Sequence, residues 1–125
     1  HDCGMKGLSG ISNDMRELLA STAPSAKLAL KYFAWRVAEG MIGLGCAMNG
    51  IDGIVFTAGV GENSAEIRQA ISEHWGWLGI KLDPERNARH GPRISTDDSR
   101  IAVYVVRTNE ELIIAQHTLA LVRQQ

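Results

Sequence analysis

The run Ile54-Val55-Phe56-Thr57-Ala58 is apolar and rich in β-branched residues, and it breaks at once into Gly59-Val60-Gly61-Glu62-Asn63-Ser64. Such a run reads as a buried strand, because Ile, Val and Phe suit a pleated surface packed against neighbours. The glycines after it allow a tight reversal, and the polar residues that follow suit a helix start. A strand, a glycine turn and a helix in this order commit the chain to helices layered on a sheet. The turn also has a chemical meaning. A backbone without Cβ lets a ligand approach closely, and a helix start offers free N–H groups with partial positive charge.

A second strand extends the same architecture. Ile101-Ala102-Val103-Tyr104-Val105-Val106 is apolar on both alternating faces, as a strand buried inside a parallel sheet would be. Thr108 and Glu111 then form a capping box, and Leu112, Ala115, Leu119 and Val122 continue an amphipathic helix. Upstream, Ser12 is placed to cap a helix over roughly residues 13 to 20, and Pro24 suits the first turn of a long one. Along that long helix Ala26, Leu30, Phe33, Val37, Met41, Leu44 and Met48 draw one apolar stripe. Gly40, Gly43 and Gly45 point to close backbone packing, and Asn49-Gly50 supplies a left-handed stop. A helix is expected from Ser64 to about Trp75, ended by Gly76 and Gly79. Ile80-Lys81-Leu82 allows a short strand, and residues 83 to 100 read as a polar excursion. The order helix, helix, strand, helix, strand, helix means an α/β fold with parallel strands flanked by helices.

Composition narrows the partners. The 125 residues make one domain at most, and a formal net charge of -1 with no long basic run excludes nucleic acid and anionic membranes as expected partners. No apolar run approaches the ~20 residues of a membrane span, so the expected location is the cytoplasm. Cys3 and Cys46 lie far apart without metal-ligand spacing and read as buried or free thiols. His1, His74, His90 and His117 share no metal spacing and read as surface or capping residues, while Trp75 and Trp77 read as core or interface. The chain opens on His1 and enters structured-looking sequence within a few residues, so a piece of a longer protein is expected.

The glycine turn supports more than one reading. In a Rossmann reading it holds a dinucleotide pyrophosphate, and Asp83, roughly 20 residues on, would be the ribose-binding acid. Ser64 in the third glycine position and the carboxylate of Glu62 argue against it. In a purely structural reading the glycines make a tight turn, and Asn63, three residues before Glu66, caps the helix. Asp14 and Arg16 are a helix-start acid and a surface cation, or else ligand contacts beside the loop of Gly4, Gly7 and Gly10. Glu111 is explained by capping. Glu110 is not, and at the end of a parallel strand it sits where open α/β sheets bind ligands and where a carboxylate can hold a hydrated Mg²⁺.

Taken together, Ser9-Gly10-Ile11-Ser12-Asn13-Asp14-Met15-Arg16, then Val55 through Ser64, then Thr108-Asn109-Glu110-Glu111 resemble the carboxyl-terminal portion of the acetate kinase family. Leu78-Gly79-Ile80-Lys81-Leu82-Asp83 and Ile94-Ser95-Thr96 join the resemblance, which covers nearly the whole chain. It implies part of an actin-like ATPase (ribonuclease H-like) domain, with ATP or ADP held in a cleft between two duplicated domains. By the same resemblance Asp14, Met15 and Arg16 would line the adenosine pocket, and Gly59, Val60, Gly61, Glu62 and Asn63 would lie against adenine and ribose. Glu110 would be the Mg²⁺-associated carboxylate. The family's acceptor is a small carboxylate such as acetate, and its catalytic residues lie upstream of this stretch, so none is expected within the chain. The resemblance also implies an amino-terminal domain as partner and a homodimer. Arg107 stands where the family usually has proline, and Ala38-Glu39-Gly40-Met41 replaces a more typical stretch. Two alternatives stay open: a non-catalytic nucleotide-binding or dimerisation module, and a Rossmann-type NAD-binding domain.

Overall fold

The structure, a computed structural model, describes residues 15–107. The chain divides into two compact units, His1–Val37 and Ala38–Gln125. The first contains helix α1 (Met15–Ala20) and the opening of the long helix α2 (Pro24–Met48). Leu18 is fully buried on α1, and the Ser21 hydroxyl accepts the Ala23 N–H at 3.1 Å just ahead of Pro24. Pro24 therefore opens α2 as expected, where its missing N–H costs nothing.

The buried line along α2 follows the expected stripe in part, with Ala26 and Met41 buried and Leu30, Phe33 and Val37 half-buried beside it. It runs through Ala26, Ala29, Ala34, Ala38 and Met41, while Leu44 and Met48 are 49% and 38% exposed. At Gly45 an added Cβ would come within 2.6 Å of Ile51 Cδ1, whereas Gly40 and Gly43 have open space beside them among the described residues. Close packing thus explains Gly45 alone. The helix stops as its sequence dictates: Asn49 (φ 63°) and Gly50 (φ 143°) donate back to the Cys46 and Gly45 carbonyls at 3.2 and 2.9 Å, a Schellman closure.

The second unit is built on two parallel strands, β1 (Gly53–Thr57) and β2 (Ala102–Val106), in register from Gly53 opposite Ala102 to Thr57 opposite Val106. The Thr57 hydroxyl donates to the Val106 carbonyl at 2.9 Å and ties the two strand ends together. β1 is buried on both faces from Ile54 to Thr57. In β2 only Val103 and Val105 are buried and Tyr104 is 37% exposed, so the expected two-sided burial holds for β1 and not for β2. The expected capping box and helix beyond Arg107 lie outside the described residues.

After β1 come a short helical turn α3 (Gly59–Asn63), helix α4 (Ala65–Ser72) and a 3₁₀ segment, Glu73–Leu78. The single helix expected to Trp75 thus tightens after Ser72 and ends at Gly79, which takes φ 81°. Trp75 is wholly buried, stacks on Phe56 with ring centroids 6.1 Å apart, and donates from Nε1 to the Ala38 carbonyl at 3.3 Å. Trp77 is exposed.

The polar stretch after Leu82 is ordered rather than a free excursion. Asp83 caps α5 (Pro84–Ala88), accepting the Glu85 and Arg86 N–H groups at 2.9 and 3.2 Å. Ile94 N–H then donates to the Val103 carbonyl at 2.9 Å and Val105 N–H to the Pro92 carbonyl at 2.7 Å, which lays the segment antiparallel along β2. The short strand allowed at Ile80-Lys81-Leu82 reduces to a single bridge, Leu82 opposite Ser95. Among the described residues, no helix is long and apolar enough to cross a membrane.

Candidate functional site

The carboxyl end of β1 is where the backbone departs from ordinary geometry. Ala58 takes φ 62° and ψ 143°, a conformation that side chains rarely adopt, and Gly59 follows at φ 47°. These two residues turn the chain out of the sheet. Gly61 N–H then donates to the Ala58 carbonyl at 3.0 Å, Ser64 N–H to the Val60 carbonyl at 3.0 Å, and the Asn63 side-chain amide to the Gly59 carbonyl at 2.9 Å. The turn is closed on itself, yet the Cβ direction of Gly59 meets nothing within 4 Å among the described residues. That open side is what a ligand approaching the backbone requires.

Asn63 does not cap the following helix. Ser64 does, its hydroxyl accepting the Ile67 N–H at 3.1 Å, so the structural reading of Asn63 as a cap is displaced by one residue. Asn63 instead holds the turn and stays exposed. The difficulty posed by Glu62 has a geometric answer. Its side chain is only 11% exposed, with Oε2 3.9 Å from Arg107 Nη1, so the charge is largely covered and offset by a cation.

Under the turn lies a cluster that sequence reasoning missed. Arg68 is wholly buried on α4. Its Nη1 donates to the Gly61 carbonyl at 3.0 Å, Nε to Asn87 Oδ1 at 2.7 Å, and Nη2 to the Asn87 carbonyl at 2.7 Å and to His90 Nδ1 at 2.9 Å. The Asn87 amide in turn donates to the Ala65 carbonyl at 2.9 Å. Burial lowers the Arg68 pKa to about 10, which leaves the guanidinium charged at neutral pH. A guanidinium only donates, so His90 Nδ1 must accept and the ring proton resides on Nε2. Desolvation, then the charges of Arg68 and Arg107, push the His90 pKa below its ordinary value. The signal in the sequence was the position of Arg68: it falls on the same helical face as the buried Ile71 and Trp75, where a cation needs a reason.

The remaining expected site residues divide by location. Gly59 through Asn63 form one turn in the second unit, while Met15, half-buried, and Arg16, exposed, stand on α1 in the first. Asp14 and Glu110 lie outside the described residues. Asp83, the ribose acid of the dinucleotide reading, is engaged as a helix cap, which removes that reading's main support. Among the described residues no cluster of His, Cys, Asp and Glu is arranged to hold a metal ion.

Residues 1–116 match the sequence model of the acetokinase family. This chain belongs to that family. Acetokinase relatives include the acetate kinases of Nitrobacter hamburgensis, 59% identical over 120 residues (96% of this chain, 30% of that protein), and of Rhizobium meliloti, 55% identical over 122 residues (98% and 31%). The chain thus spans about 30% of the length of the curated acetokinases it matches. Two solved structures share its fold. A propionate kinase from Francisella tularensis aligns with TM-score 0.77 at 38% identity over 94% of this chain and 31% of that one. An acetate kinase from Entamoeba histolytica aligns with TM-score 0.78 at 29% identity over 94% and 33%. The expected fold class holds: the α/β arrangement with parallel strands is part of the actin-like ATPase fold of these kinases.

Proposed function

We propose that residues 1–125 form the carboxyl-terminal nucleotide-binding part of an acetate kinase-like phosphotransferase, which moves a phosphoryl group reversibly between ATP and a short-chain carboxylate such as acetate. The observation that carries this reading is the turn at the end of β1, where a strained Ala58 and an open Gly59 present backbone beside a Glu62 whose carboxylate is largely covered and near Arg107. Such a surface suits adenine and ribose, which need close approach and shape rather than fixed positive charge. The family membership supports the same reading.

In this reading Gly59, Val60, Gly61, Glu62 and Asn63 shape the wall against the nucleoside, with Asp14, Met15 and Arg16 contributing from the first segment. The turn's part is orientation: fixing the nucleoside limits the paths along which the γ-phosphoryl group can move. Mg²⁺ bound with ATP would neutralise phosphate charge during in-line transfer, and Glu110, three residues past Arg107, would be its carboxylate. Acetate, the amino-terminal domain of the same enzyme and a second copy of the protein are the proposed partners, and the cytoplasm the proposed location. The amino-terminal part would supply the catalytic groups, so residues 1–125 alone should show little transfer.

The test is acyl phosphate formation by the full-length parent with Mg²⁺ and ATP, trapped as hydroxamate, comparing acetate, propionate and butyrate at equal concentration. Product with acetate above the others supports the proposal. A parent that binds ADP yet forms no product with any acid would leave a non-catalytic nucleotide-binding module in its place.

A further inference from the structure

We propose that Arg68 is a positioning residue for nucleotide binding, acting through the Gly61 carbonyl and never touching the nucleotide itself. This rests on the nucleotide reading of the turn. The guanidinium spans three pieces of chain: the turn through Gly61, helix α5 through Asn87, and the segment after α5 through His90. Asn87 completes the brace by donating to the Ala65 carbonyl at the first residue of α4.

A cation in such a place is costly to bury unless its donors are satisfied. Among the described residues no carboxylate pairs with it, so its charge is balanced by carbonyl dipoles and a neutral imidazole. What the fork supplies is direction. Its N–H groups are fixed in one plane, so setting them against Asn87 also sets where the Gly61 carbonyl stands. The turn's own bonds close it locally, from Gly61 to Ala58 and from Ser64 to Val60, but they do not fix it to the rest of the unit. Arg68 adds such an attachment at the Gly61 carbonyl, two residues past Gly59, whose open side would face the ligand. The polar stretch after Leu82 thereby becomes a base plate for the turn.

The experiment uses the full-length parent with Arg68→Lys, Arg68→Gln and Asn87→Ala. KM for ATP, KM for acetate, kcat and thermal midpoint are measured, with ADP binding by calorimetry. Lysine keeps the charge but loses the planar fork, so it should not rescue. All three variants are expected to raise the nucleotide KM by roughly tenfold or more, with the acetate KM unchanged. A purely structural role predicts lower thermal midpoints with an unchanged nucleotide KM in the folded protein, and that result overturns the proposal. Should the Arg68 and Asn87 variants fail to fold, His90→Ala removes one acceptor at a half-buried position. A nucleotide KM unchanged there would equally overturn the proposal. Failure of the wild-type parent to bind ADP would instead refute the nucleotide reading itself, so the two failures are distinguishable.

Discussion

Replacing Ala58 by glycine should stabilise the protein, the reverse of what this substitution does at an ordinary position. Ala58 sits at φ 62° and ψ 143°, where its Cβ is crowded by its own backbone and glycine is nearly alone in being comfortable. Holding a side chain there costs about 1–3 kcal/mol. Glycine removes that cost but gives the unfolded chain more freedom, which opposes the gain by about 0.4–1 kcal/mol. The balance is a net stabilisation of about 0–2.6 kcal/mol. Urea unfolding of the full-length parent measures it as a rise in midpoint at unchanged slope. Ala58→Val supplies the opposite arm. A β-branched residue at positive φ is more crowded still, and a loss of about 2 kcal/mol or more is expected. The same Ala58→Gly protein should bind ADP more weakly, because the added freedom loosens the turn that the strain defines. A fall of about 0.5–1 kcal/mol in Ala58→Gly, the ordinary penalty for glycine, would refute the claim that this backbone is strained.

Ser64→Ala removes the cap hydroxyl that holds the Ile67 N–H and should destabilise the protein by about 1 kcal/mol, with Ser64→Thr largely retaining stability in the same unfolding assay. Trp75→Ala empties a fully buried site beside Phe56 and should cost about 3–5 kcal/mol, against a smaller loss of about 1–3 kcal/mol for Trp75→Phe, which forfeits the bond to the Ala38 carbonyl and leaves part of the indole volume empty. His90 has a depressed pKa when folded, so its contribution is fully present above the unfolded value near 6.5 and is lost as pH falls through the lower folded value. Unfolding midpoints at descending pH should fall in that window for the parent and fall less for His90→Gln. Arg107→Gln should change stability by about 1 kcal/mol or less, because Arg107 is 57% exposed and stands 3.9 Å from Glu62, and urea midpoints at low and high salt check this.

What the sequence made legible was whatever depended on neighbours in the chain. The strand at β1, the glycine turn, Pro24 at a helix start and the Asn49-Gly50 stop all follow from local sterics and appear where expected. Periodicity chose the face of α2 in part. Ala26 and Met41 of the expected stripe are buried and Leu30, Phe33 and Val37 half-buried, while Leu44 and Met48 are exposed, because which residues along the line are fully covered depends on what packs against the helix. The stretch after Leu82 was unreadable for a related reason. Its polar residues satisfy one another and the neighbouring backbone, as in the Ser95 hydroxyl accepting Val103 N–H at 3.0 Å, and such pairings exist only once the segment lies against β2.

The candidate site shows the same division at the scale of single side chains. Glycine at residue 59 was readable because a turn out of a strand needs it, whatever surrounds it. Glu62 was not, because a carboxylate in a loop has opposite meanings according to whether it faces a ligand or the interior. In the fold the Glu62 side chain is largely covered, and Arg107, a residue 45 positions later in the chain, stands 3.9 Å from its carboxylate. Arg107 thereby makes a contact between the glycine turn and the exit of β2. The two segments proposed to meet nucleoside and metal are joined through charge as well as through the bond from Thr57 to Val106.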